Sequence, residues 1–266
     1  MATIKLKDVD LYYQADGTGS SLLLIHGTQP DGNTWGSCFE ALASHHFVIT
    51  YDRRGFSRSI HPPITDYLQH AEDAAALLRQ LQAEPVTIVG WSWGGIIALE
   101  LAAREPALVR GLILIEPALH LKKHLTFSLF KTVGKVQLLR RFRGDIPAAE
   151  AFLRWACQYR TGGSAFSHFP QEVQETIRRN ATLIVKEIDA GTGEELTPER
   201  IATICCPVTC IQGELSAPEF GQAIERITKL IPHTKVRSIP GASHAIHFDR
   251  PNEFCEAILE VAQEYV

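Results

Sequence analysis

Residues 86–95, VTIVGWSWGG, constrain this chain more than any other stretch. The β-branched apolar residues Val86, Ile88 and Val89 predict a buried strand, and the small-residue run 96–104 predicts a helix. Between them Gly90-Trp91-Ser92-Trp93-Gly94 must turn the chain abruptly, with Ser92 at the apex in strained backbone. Glycines at 90 and 94 remove Cβ atoms where strand and helix close on each other. The letters fit G-x-S-x-G, a turn that lifts a serine hydroxyl above the edge of a sheet. A glycine-rich turn with an ordinary serine has the same spelling. What separates the two is whether the rest of the chain supplies a base and an acid.

The flanking sequence places that turn in a repeating pattern. Residues 4–6 and 9–14 alternate apolar and polar side chains and predict antiparallel edge strands, followed by a turn at 15–19. Residues 22–25 and 47–51 are continuous apolar runs typical of central parallel strands, one ending at His26-Gly27-Thr28 and the other at Asp52-Arg53-Arg54-Gly55. Helices are predicted over 35–44, after a Gly/Asn/Pro-rich loop at 29–33, and over 67–81, where Leu68, Ala71, Ala75 and Leu78 recur at helical spacing. A strand over 109–115 ends at Glu116-Pro117. Strand and helix alternate again from 208: strands over 208–211 and 235–239, helices over 218–231 and from 250 to the end. Such alternation implies an α/β fold whose parallel sheet is covered on both faces.

Residues 118–204 break the pattern. They hold no buried-strand run but three cationic, amphipathic stretches, 131–141, 148–159 and 171–188, separated by glycine joints. This predicts two domains in sequence terms: a core from 1–117 and 205–266, and a helical cap, or lid, over 118–204 inserted after the sixth strand. The aromatics Phe127, Phe130, Phe142, Trp155, Tyr159, Phe166 and Phe169 are expected mainly in the cap's own core, with some facing the sheet. Lys122, Lys123, Arg140, Arg141 and Arg143 are expected on a solvated face.

Composition narrows the function classes. The chain has 266 residues, 45% hydrophobic and 21% charged, ample for a large core. A net charge of −4 and a pI near 6.3 point away from nucleic acid and anionic membranes as partners. No run approaches the ~20 apolar residues of a membrane span, and no signal-peptide pattern opens the chain, so a cytoplasmic location is expected. Six cysteines lack any C-x-x-C motif and are expected as buried thiols rather than metal ligands.

A serine hydroxyl needs a base within hydrogen-bond reach, and the base needs an orienting acid. The motif's chain order is serine, acid, histidine. His244, in the loop 240–244 between the last strand and the last helix, suits the base, because reactive groups gather beyond the C-terminal ends of parallel strands. His247 is the competitor and is expected to be a surface-loop residue.

The residues assembled so far, His26-Gly27, the run Asp52-Arg-Arg-Gly-Phe-Ser-Arg-Ser59, Gly90-x-Ser92-x-Gly94 and Gly241-x-x-His244, resemble the α/β-hydrolase fold family in its lid-bearing branch of esterases and lactonases. The resemblance spans nearly the whole chain. It implies an eight-stranded, mostly parallel sheet with helices on both faces, a cap over the substrate pocket, and no cofactor or metal. Ser57 stands where many members have a second glycine, which alters a turn rather than the chemistry.

Members commonly place the acid as an Asp shortly after the seventh strand. Here that stretch is Gly213-Glu-Leu-Ser216-Ala-Pro218, and Ser216 occupies the expected position. Serine cannot stabilise an imidazolium by charge. Two substitutes present themselves. Glu116 ends the sixth strand, where some members carry their acid, and its extra methylene extends its reach; it is preferred. Glu214 is the alternative acid. Asp52 precedes Ser92 and is assigned a structural role, and His26 a supporting one in its loop.

The motif takes one oxyanion-hole donor from the backbone N–H after the nucleophile, here Trp93, and the other from the loop after the third strand, here Thr28. The leading expectation is therefore a serine hydrolase cleaving an ester or lactone of a largely apolar small molecule through an acyl-enzyme at Ser92, as monomer or homodimer. A cofactor-free C–C bond hydrolase or perhydrolase with the same triad is the alternative within the fold. A ligand-binding or receptor protein with vestigial activity is the alternative outside enzymology.

Overall fold

The computed structural model of the chain describes all residues except Gln29, Pro30, Pro63, Thr65, Leu125 and Val266, together with the side chains of all but Lys122 and His124 among the rest. The first two positions of the loop expected over 29–33, and Lys122 of the expected solvated face, therefore lie outside the described residues.

Eight strands form one sheet: β1 (Ala2–Lys5), β2 (Asp10–Asp16), β3 (Ser21–Ile25), β4 (Phe47–Tyr51), β5 (Val86–Trp91), β6 (Val109–Ile115), β7 (Val208–Gly213) and β8 (Lys235–Ile239). Their spatial order is β1-β2-β4-β3-β5-β6-β7-β8. β1 and β2 pair antiparallel at one edge, and β2 also runs antiparallel to β4; every other pairing is parallel. The helices are α1 (Ser37–Ala43), α2 (Tyr67–Leu81), α3 (Trp93–Arg104), α4 (Phe127–Arg143), α5 (Asp145–Ala156), α6 (Gln171–Arg179), α7 (Ala181–Ala190), α8 (Pro198–Ile201), α9 (Pro218–Leu230), α10 (Ile246–Asp249) and α11 (Pro251–Glu264).

The central strands are apolar throughout because both faces are covered. Successive side chains point to opposite faces, and the core divides accordingly. Leu23, Ile25, Ile88, Leu112 and Leu114 pack with Leu77 and Leu78 of α2 and with Ile97 and Leu101 of α3. Leu22, Leu24, Val89, Ile113 and Ile115 pack on the other side with Phe39 and Leu42 of α1 and with Phe254 and Ile258 of α11.

Helices α4 to α8 all lie between β6 and β7 in the chain, and much of this segment has a cluster of its own around Val136, Leu153, Phe166, Phe169, Ile177 and Ile184. Several expectations for it are corrected. The stretch 171–188 is two helices, broken at Asn180. The Asn180 side chain is engaged by Ser57: Ser57 N–H donates to Oδ1 at 3.1 Å, and Nδ2 donates to Ser57 Oγ at 3.0 Å. Ser57 has φ +41°, a left-handed conformation that explains the glycine commonly found there, and the amide brace holds it. Phe127, Phe130 and Phe142 are exposed rather than in the segment's core, and the buried positions of α4 are Leu129 and Val136. Arg141 and Arg143 are exposed as expected, but Arg140 is ion-paired with Asp145 and Asp189. Among the cysteines, Cys205 is exposed and Cys206 half-buried, because they sit in the turn before β7 rather than in it.

Candidate active site

The turn at the end of β5 is held by its neighbours on both sides. Ser92 has φ +55° and ψ −117°, a conformation disfavoured for any residue with a Cβ. Its N–H donates to Ile115 O at 2.9 Å, and its carbonyl accepts from Gly95 N at 3.0 Å and Ala118 N at 3.1 Å, so the end of β6 fixes the strained residue. A Cβ on Gly94 would lie 2.2 Å from Ile25 O, which is why α3 can start directly against the end of β3. A Cβ on Gly27 would lie 2.9 Å from Ser92 Cβ; its absence brings the peptide between Gly27 and Thr28 alongside the serine.

His244 lies in the loop after β8 and is buried. Its Nδ1 is 2.7 Å from Glu116 Oε2 and its Nε2 is 3.0 Å from Ser92 Oγ. An ionised carboxylate only accepts, so Nδ1 carries the ring proton. Nε2 is then a lone pair, and the Ser92 hydroxyl donates to it. The remaining oxygen of Glu116, Oε1, accepts Gly213 N–H at 2.7 Å. Glu116 is fully buried and itself has φ +40°, while its N–H stays in the sheet by donating to Ile211 O at 3.0 Å. Two strained residues at adjacent strand ends thus face one imidazole.

The other acid expected from sequence is elsewhere. Glu214 is exposed, and its carboxylate accepts Gly241 N–H at 2.9 Å, where it stabilises the turn before His244 without touching the ring. Ser216 is buried, with no hydrogen-bond partner for Oγ among the described residues. Its Oγ would be 2.8 Å from a Cβ on Gly213, so it packs against the backbone that donates to Glu116.

His247 is not a surface residue. The rings of Trp91, Trp35, Phe248 and Phe254 surround it, and Nε2 is 3.1 Å from Thr34 Oγ1. Burial, with a smaller contribution from His244, pushes its pKa down to about 3, so the ring is neutral. Asp52 also has a bracing part: it accepts from Gly32 N, from Arg58 N and from the Arg58 guanidinium. His26 holds its own loop, with Arg53 N–H donating to Nε2 at 3.0 Å and Nδ1 donating to Gly27 O at 2.8 Å.

Several residues around the site carry no signal in the sequence. Phe220, on the first turn of α9, stacks on the His244 ring with centroids 3.8 Å apart and planes 9° apart. Trp91 Nε1 donates to His244 O at 3.1 Å. Asp249 accepts from both Ser243 N and Ser243 Oγ, and from Tyr159 OH, so the loop bearing His244 is tied to the segment between β6 and β7. Only spacing from His244 hints at Asp249, and Phe220 looks like any apolar helix position.

Ser92 opens into a cavity of about 30 Å³ walled by Thr28, Trp93, Ala118, Leu121, Phe152 and Glu187, among others. A larger apolar pocket of about 390 Å³ adjoins it, with Leu129, Phe130 and Val133 on its far side. Leu121, Phe152, Ile188, Gly191 and Thr192 line both. Among the described residues, no group of three or more His, Cys, Asp and Glu side chains is arranged to hold a metal ion. No helix there is long and apolar enough to cross a membrane.

This chain resembles known proteins over most of its length. A pimeloyl-[acyl-carrier protein] methyl ester esterase of Aliivibrio fischeri is 34% identical over 254 residues, 92% of this chain and 94% of that one. An uncharacterized hydrolase of Bacillus subtilis, YraK, is 36% identical over 120 residues, and this match spans 44% of either chain, less than half the length of that relative. Among solved structures, Est816, described as an N-acyl homoserine lactone degrading enzyme, superposes with a TM-score of 0.81 at 21% identity, covering 97% of this chain and 99% of its own. The family model for the alpha/beta hydrolase fold matches residues 21–251, and the chain belongs to that family.

Proposed function

We propose that the protein is a serine hydrolase that cleaves an ester or lactone of a largely apolar small molecule through an acyl-enzyme at Ser92. The observation that carries this reading is the continuous chain of hydrogen bonds from Ser92 Oγ through His244 to Glu116, with every heavy-atom separation at or below 3.0 Å. His244 Nε2 takes the hydroxyl proton as Oγ attacks the carbonyl carbon, and the imidazolium that forms is stabilised by Glu116. The backbone N–H groups of Thr28 and Trp93 receive the developing oxyanion, aided by the N-terminus of α3, which begins at Trp93. His244 then returns the proton to the leaving alkoxide. Water, deprotonated by the same ring, attacks the acyl-enzyme and releases the acid.

Residues 118–204 are taken as a cap over this site and 1–117 with 205–266 as the core. The cavity at Ser92 is small, and the larger apolar pocket opens directly beside it. A longer apolar chain therefore needs the adjoining pocket, and that requirement favours an apolar substrate. The names of relatives, a methyl ester esterase and a lactone degrading enzyme among them, agree with ester chemistry.

The test is hydrolysis of p-nitrophenyl esters of graded chain length and of lactones of graded ring size, with Ser92→Ala as control. Activity is expected to fall by at least ~10³-fold in Ser92→Ala, and a fluorophosphonate is expected to label Ser92 in the native protein. Undiminished hydrolysis by Ser92→Ala would overturn the mechanism. Absence of both turnover and labelling would favour a binding protein on the same fold.

A further inference from the structure

Arg53, which follows β4, and Glu187, on α7, form an ion pair with both side chains fully buried. Arg53 Nη1 donates to Glu187 Oε1 at 2.6 Å and Nη2 to Oε2 at 3.2 Å. Such a pair is weak evidence of stability, because desolvating two charges offsets most of their attraction, and well-packed apolar residues commonly do as well. Here the cost is compounded, since Arg53 Nε has no hydrogen-bond partner among the described residues. The guanidinium sits over the rings of Phe56 and Trp93, 4.3 and 4.9 Å from their centroids, which fixes its plane.

The use of the pair lies in its third set of contacts. Arg53 Nη2 also donates to Gly27 O at 2.8 Å, joining His26 Nδ1 on the same carbonyl. That carbonyl belongs to the peptide unit whose N–H is Thr28's. In a trans peptide the C=O and N–H are rigidly opposed, so two donors on Gly27 O set the direction of the Thr28 N–H. On the other side the Thr28 side chain lies against the Glu187 carboxylate, and both residues line the cavity at Ser92. One carboxylate from the segment between β6 and β7 therefore grips the arginine that holds the carbonyl end of the unit and contacts the side chain at its other end.

We propose that Arg53 and Glu187 are positioning residues that aim the Thr28 N–H at the oxyanion, so that the cap completes the oxyanion hole of the core. The proposal rests on the reading of Ser92 as nucleophile and Thr28 as donor. It makes the quality of the hole depend on where α7 sits: when α7 moves away, the donor loses its alignment and acylation slows, even though Ser92, His244 and Glu116 keep their places.

The experiment is steady-state hydrolysis of p-nitrophenyl acetate by the full chain carrying Glu187→Gln, Thr28→Val, both together, and the paired replacement Arg53→Met with Glu187→Leu. Each protein's thermal midpoint is measured alongside. Thr28→Val keeps the backbone donor but removes the hydroxyl beside Glu187. Removing an oxyanion donor outright commonly lowers kcat ~10²–10³-fold, and misaiming one is expected to lower it about tenfold with KM within twofold. The Thr28→Val and Glu187→Gln losses should not multiply, because they break the same contact. The paired replacement should keep its thermal midpoint yet lose kcat, an outcome that a merely structural pair would not give. A wild-type kcat in Thr28→Val or in the paired replacement, or losses that multiply, would overturn the proposal. Retained hydrolysis in Ser92→Ala would instead overturn the reading beneath it, so the two failures are distinguishable.

Discussion

At the scale of single residues, the candidate site turns on which carboxylate meets His244. Glu116 is buried, 2.7 Å from Nδ1, and its second oxygen is satisfied by Gly213 N–H. Glu214 is exposed and bonded to Gly241 N–H. In the proposed mechanism the Glu116 charge stabilises the imidazolium and fixes the tautomer of the ring. Glu116→Gln is therefore expected to lower kcat by ~10²–10⁴-fold on p-nitrophenyl esters, while Glu214→Gln stays within about threefold. The reverse ranking would remove Glu116 from the mechanism. The sequence offers Ser92 and His244 through motif spelling and loop position. It leaves two acids open, because the choice depends on how far apart the ends of β6 and β7 stand, and that distance has no letter code.

At the scale of elements, the close junction of β3, β5 and α3 presents the serine. Alanine is intrinsically better than glycine inside a helix by about 1 kcal/mol, and Gly94 lies in α3. Sterics decide the other way. The added Cβ would sit 2.2 Å from Ile25 O and 2.7 Å from His26 O, both backbone atoms with no room to yield. Gly94→Ala is expected to destabilise the protein by about 3 kcal/mol or more, measured by denaturant unfolding, with activity lost in parallel. A neutral or stabilising substitution would mean that the junction is looser than described. Strand and helix bounds such as 47–51 and 67–81 coincide with β4 and α2 because apolar periodicity specifies them locally. The break between α6 and α7 is invisible in the sequence. Asn180 is an unremarkable helix residue until Ser57, more than a hundred positions away, claims its amide.

At the scale of the whole molecule, burial makes stability depend on pH. His247, and His70 packed edge-on against Trp93, are both held neutral, chiefly by desolvation. For His247 the pKa falls from an ordinary 6.5 to about 3. As pH drops through 6.5 the unfolded chain takes up a proton there while the folded chain does not, so stability is lost across the window from about 6.5 to about 3 and is fully present above it. One such group removes up to ~1.4 kcal/mol per pH unit within the window. Replacing it with a side chain that does not titrate should flatten the acid limb: between pH 6.5 and 4.5, His247→Gln is expected to lose about 2 kcal/mol less than the native protein in denaturant unfolding. Identical pH profiles would show that His247 titrates normally.

What the sequence by itself determined was the order of elements, the α/β class, and which serine, histidine and carboxylate candidates stand at strand ends. These follow from periodicity and turn chemistry, which act over a few residues. The tertiary structure decided what depends on distances between remote segments. It joined Glu116 to His244 across 128 positions, stacked Phe220 on the ring, buried His247 among aromatics, and brought Glu187 to Arg53 beneath Thr28. The physical reason is the same each time. A buried polar group takes whichever partner close packing brings within about 3 Å, and packing is a property of the assembled layers rather than of any stretch of chain.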